Sequence, residues 1–261
     1  MTLAYIISGF VVGLLVGLTG VGGGSLMTPL LTLWFGVPPA VAVGTDLAFA
    51  AVTKSAGAVL HSFGSTIQWR CVKHLSIGAL PAAVLTTVAL DQFGMLDERV
   101  GQIIRYSIAG SLLLTVVALL FQTRVQHWLK AHPEKRLHGA RLDTVTVLAG
   151  AWLGTLVTLS SIGAGAVGAL VLILLQPQLS PAQIAGTDIA YAVPLTAMAA
   201  LGHWWLGAID GPLLAILLIG SVPGIAIGSL AARIVPHALS RTVLATTLLS
   251  VATLLLYPHN A

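Results

Sequence analysis

GLTGVGGGSLMTPLL, residues 17–31, sits inside an apolar run that extends from Leu3 to Val37. Gly20, Gly22, Gly23 and Gly24 fall within five consecutive positions of it. Glycine in a helix interior costs about 1 kcal/mol relative to alanine, so the run cannot be read as one continuous helix. Length leads to the same conclusion. Leu3 to Phe35 as a single helix would measure ~50 Å at ~1.5 Å per residue, against a hydrocarbon core of ~30 Å. The sequence therefore predicts a helix over 3–19, a turn over 20–24 and a second helix returning over 25–36.

The composition supplies the setting. The chain has 261 residues, 57% hydrophobic and 8% charged, where a soluble domain carries roughly 25% charged residues. Such a chain cannot cover a water-facing surface, and it reads as an all-α polytopic membrane protein. Its 28 glycines suit close-packed membrane helices. Cys71 is the single cysteine, which excludes a disulfide framework and a Cys-rich metal site. No metal and no cofactor are expected. The net charge of +4 comes from basic residues gathered in loops, so it reports topology and gives no sign of nucleic-acid binding. The first residues, MTLAYIISGF, lack a basic leader and a small-residue cleavage site and read as a retained helix.

The chain is also a repeat. Gly9 and Gly13 fall on Gly150 and Gly154, and LTGVGGG at 18–24 falls on LSSIGAG at 159–165. Gly44-Thr45-Asp46 recurs as Gly186-Thr187-Asp188, and His61, Gly78 and Pro81 fall on His203, Gly220 and Pro223. The sequence divides into a first transmembrane repeat over 1–123, a basic linker over 124–141 and a second repeat over 142–261. Each repeat holds a broken helix, or helical hairpin, followed by three spans. These fall at 38–61, 72–91 and 99–121, then at 180–202, 211–232 and 237–257; the second broken run reads as helices over 143–159 and 166–176.

A hairpin plus three spans crosses the membrane an odd number of times, which inverts the second repeat relative to the first. One long broken helix would instead leave the repeats parallel. Inversion collects Arg70, Lys73, Arg124, Lys130, Lys135, Arg136, Arg141, Arg233 and Arg241 on one side, nine of the twelve Lys and Arg residues. Cytoplasmic loops carry such an excess, so inversion is preferred. The linker is then cytoplasmic, and both termini face away from the cytoplasm.

Asp46 and Asp188 each lie about two turns inside a span. An unpaired carboxylate at that depth costs at least ~2.5 kcal/mol. They are candidates for carrying an ion or a proton or for contacting substrate, the alternative being that each ties down neighbouring N–H groups of the broken loop. Lys54 is the only lysine within a span; it either pairs with Asp46 or attracts an anion. Thr45 and Thr187 place hydroxyls beside the acids, for a substrate or for the preceding helical turn. His61 and His203 occupy matching ends of matching spans. They are candidates for ion coupling, or polar caps at the membrane surface.

The breaks have a use of their own. A helix that begins at mid-depth points its free N–H groups and positive dipole end into the protein. Glycine lets backbone approach a ligand closely, and paired half-helices around an anion are an arrangement used by secondary transporters. Substrate contacts are therefore expected from Thr19, Gly20, Gly22, Gly23, Gly24 and Ser25 in the first break, and from Ser160, Ser161, Gly163 and Gly165 in the second. The alternative is a purely structural kink.

GLTGVGGGSLMTPLL and GVPPAVAVGTDLAFA, with their second copies LSSIGAGAVGALVL and LSPAQIAGTDIAYAVP, resemble the sulfite exporter TauE/SafE family, also called the toluene sulfonate uptake permeases, over about residues 3–257. The resemblance implies a multi-pass permease of the bacterial inner (plasma) membrane that moves sulfur-containing anions such as sulfite, organosulfonates and sulfoacetate. A proton- or ion-coupled secondary carrier working by alternating access is the expected function. A passive anion channel and, less favoured, an intramembrane enzyme are the alternatives. The expected partners are the anion, a proton or other coupling ion and the lipid bilayer, without nucleic acid; a homodimer is compatible with the sequence.

Overall fold

The computed structural model describes residues 2–19, 24–62, 67–94, 97–135, 137–231 and 237–256, and every regular element among them is helical. The helices are α1 (Thr2–Thr19), α2 (Gly24–Leu33), α3 (Pro39–Ser62), α4 (Trp69–Phe93), α5 (Glu98–Ala131), α6 (Gly139–Ser160), α7 (Ala166–Leu175), α8 (Pro181–Trp205), α9 (Gly211–Ala231) and α10 (His237–Leu256). The local signals are those of the sequence. Ser180 and Gln183 form a reciprocal capping box at the start of α8, with Pro181 in the first turn. The Asp97 carboxylate caps α5 by accepting from Arg99 N at 2.7 Å.

One boundary differs. The span expected over 99–121 continues as α5 to Ala131, so residues 124–131 of the expected linker are helix, and Pro133–Lys135 form a 3₁₀ turn. The reason is tertiary. Leu129 is buried, and the Gln126 amide donates to the carbonyls of Pro177 and Leu179, which ties this stretch to the α7–α8 connection.

Two long helix seams build the body, α1 along α9 and α4 along α6. Glycines let the backbones touch. A Cβ on Gly9 or Gly13 would strike the backbone of Leu217 or Ser221, and one on Gly150 or Gly154 would strike Leu75 or Ala79. Both seams advance in step, so each pair runs parallel. α3 and α8 pack at the centre in opposite directions. Gly44 near the start of α3 touches Ala208 just past the end of α8, whereas Thr187 near the start of α8 accepts from Gln68 N just past the end of α3. The outer surface is apolar, with Leu85, Ile219 and Leu230 more than half exposed; a surface of that kind faces lipid. Trp69, Trp204 and Trp205 are exposed at helix ends, as interfacial anchors are.

Candidate functional site

The second break lies among the described residues. α6 stops at Ser160, and Ser161 takes the left-handed conformation (φ 58°). Gly163 (φ 129°) and Gly165 (φ 153°) adopt backbone that side chains rarely tolerate. α7 then runs for ten residues. That is ~15 Å, half the hydrocarbon thickness, so it cannot cross the bilayer alone. The first break corresponds to Gly20, Gly22 and Gly23, which lie outside the described residues, as do the side chains of Thr19 and His61. Gly24 opens α2, and Ser25 is buried in its first turn.

Asp46 is fully buried and reaches from α3 to α2. Its Oδ2 accepts from Thr28 N at 3.2 Å and from Thr28 Oγ1. The carboxylate is thus tied to Thr28, in the second turn of α2 and beyond the break expected over 20–24. Among the described residues Asp46 Oδ1 has no partner, and the Ser161 hydroxyl faces this carboxylate without completing a hydrogen bond. Asp188 lies against Gly168 in the first turn of α7, where a Cβ would collide with its Oδ1, and Tyr191 OH crowds the same spot. Asp188 Oδ1 and Tyr191 OH are buried and unpartnered among the described residues.

Lys54 lies between these acids and interacts electrostatically with both. Its Nζ donates to the carbonyl of Ala164, inside the second break. Side chains of α3 and α8 and the backbone between α6 and α7 therefore meet around one buried cation.

Other candidates are held elsewhere. Thr45 Oγ1 accepts from Asp210 N at 3.1 Å and Thr187 Oγ1 from Gln68 N at 3.0 Å, so both hydroxyls fix the segments leading into α9 and α4. Ser160 is engaged with Ser111, Leu156 and Ile162 and stabilises the broken end of α6. His203 is no surface cap. It is fully buried, with Nε2 against Thr158 O of α6 at 3.0 Å and its Cβ against Gly44 of α3, while Trp204 and Trp205 beside it are exposed.

Two residues at the site were not singled out from the sequence. Thr28 offered little signal, being one hydroxyl in an apolar run. Tyr191 had one: the repeat sets GTDIAYA over GTDLAFA, placing its hydroxyl where the first half has Phe49, one turn beyond the acid.

The chain matches the family model of the sulfite exporter TauE/SafE over residues 5–255. It is 37% identical to the probable membrane transporter protein YjnA of Bacillus subtilis, over 88% of this chain and 89% of the relative. It is 25% identical to the probable membrane transporter protein YdhB of the same organism, over 95% and 97%. No solved structure matches it.

Proposed function

The chain belongs to the sulfite exporter TauE/SafE family, and from that premise we propose that it is a secondary carrier of small sulfur-containing anions, such as sulfite, sulfoacetate and other sulfonates, across a bacterial inner membrane. A proton or other ion is coupled to the movement. Two inverted repeats rock against each other around the helix breaks and expose the site to each side in turn.

The observation that carries this reading is the meeting of Lys54 with the second helix break, between Asp46 and Asp188. A sulfonate is a permanent anion with three acceptor oxygens. A buried ammonium, the free N–H end of α7 and the hydroxyls of Ser161 and Tyr191 suit it. Inversion is supported by the antiparallel α3–α8 pair, since these helices are repeat equivalents and parallel repeats would set them in one direction. The relatives' names as membrane transporters agree.

The test is uptake of labelled sulfoacetate, sulfite and sulfate into proteoliposomes, with and without an imposed pH gradient. Gradient-driven accumulation of a sulfonate is expected. Equilibration without accumulation would replace the coupled carrier with a passive channel or uniporter.

A further inference from the structure

We propose that the two acids divide the work: Asp188, with Tyr191 beside it, takes up and releases the coupling proton, and Asp46 is a fixed anchor. This deepens the proposed function and rests on its proton-coupled form.

The repeat supplies the comparison. Asp46 accepts two bonds from Thr28, which hold the α2–α3 corner. The position equivalent to Thr28 is Ala169, which has no hydroxyl to offer. Asp188 accordingly receives no hydrogen bond among the described residues, and its Oδ1 is buried. The position equivalent to Met27, a fully buried side chain, is Gly168, and the space is taken by Asp188 and by Tyr191 OH. The second half has thus lost the donor that fixes an ionised carboxylate and gained a hydroxyl that can either donate or accept. The Tyr191 hydroxyl makes no bond to Asp188 in this structure, but from beside it could donate to the ionised acid or accept from the neutral one, and so follow Asp188 through both states.

The surrounding charges agree. From α3, Lys54 interacts electrostatically with Asp188 and also with Asp46. α7 has no titratable side chain. In the first two turns of α4 and α6, Arg70, Cys71, His74 and Asp143 cluster around the exposed Arg70–Asp143 pair, and Lys73 and Arg141 are exposed. On α8 itself the other such group is His203, held at Thr158 O. With both acids ionised and Lys54 charged, the site carries one net negative charge and repels an anion. A proton on Asp188 brings it to neutrality, and a bound monovalent anion returns it to minus one. Proton and anion therefore enter together with no change in the charge buried.

The experiment is infrared difference spectroscopy of the purified protein on acidification, which needs no transport. One carboxylic C=O band is expected that vanishes in Asp188→Asn and persists in Asp46→Asn. Tyr191→Phe and Ala169→Thr, which leave both acids in place, should shift its frequency by removing or adding a hydroxyl partner. Loss in Asp46→Asn alone, loss in both variants, or no such band in the unmodified protein would each overturn the division. If the unmodified protein fails to accumulate sulfonate while the Asp188 band is present, the carrier reading fails and the proton site stands.

Discussion

Lys54 donates from the middle of α3 to the carbonyl of Ala164, a residue 110 positions later in the chain and within the second helix break. Its stem spans the boundary between the two repeats. The cation is therefore shared by the acid of its own half and that of the other.

Replacing Lys54 should be costly for that reason. Lys54→Met leaves two buried carboxylates without their cation, and removing one partner of a buried charge set costs about 3–5 kcal/mol. Thermal unfolding in detergent should report a large fall, partly recovered by Lys54→Met with Asp188→Asn. Sulfonate accumulation should be lost in the single variant. Unchanged stability and uptake would contradict the role assigned to Lys54.

The glycine seams make a second prediction. Gly150→Leu and Gly9→Leu each force a side chain into the backbone of the partner helix. Overpacking of this kind costs about 1–3 kcal/mol or more. Gly110→Leu, with nothing within 4 Å of its Cβ position, serves as the control and should be neutral. Equal melting temperatures for all three would mean that the seams are not closely packed.

Thr45→Val and Thr187→Val preserve shape and remove one hydrogen bond each. Each should lower stability by about 1 kcal/mol, to a similar extent, because Asp210 and Gln68 are equivalent partners at opposite ends of the α3–α8 pair. A wide disparity between the variants would show that the two bonds are not equivalent.

Inversion can be read directly. In a Cys71→Ser background, Trp69→Cys and Gly211→Cys place thiols at exposed, repeat-equivalent positions at the starts of α4 and α9. A membrane-impermeant maleimide should label them from opposite faces of sealed vesicles. Labelling from the same face would establish parallel repeats.

The element boundaries were largely legible in the sequence. All of the helices but α5 end near where the sequence places their ends, because a bilayer demands a fixed length of apolar helix. The second break was legible because the repeat sets it beneath a glycine-rich stretch that one helix over residues 3–35 could not hold within that thickness. The acids stood out twice over, through the cost of burying them and through their repetition in both halves.

Roles within the site were not legible in the same way. Thr45 and Asp46 are neighbours in sequence and both fully buried, yet one is bound to the segment leading into α9 and the other to α2. His203 belongs to a helix end that the sequence places at a surface, and packing against α3 and α6 covers its side of that end while leaving Trp204 and Trp205 exposed. Composition, period and repeat determine which segments are helices and how long each can be, since these depend on the solvent and on local geometry. Which donor meets which acceptor depends on residues distant in the chain. Tertiary packing decides it, within the first repeat for Thr28 and Asp46 and between the repeats for Lys54 and Ala164.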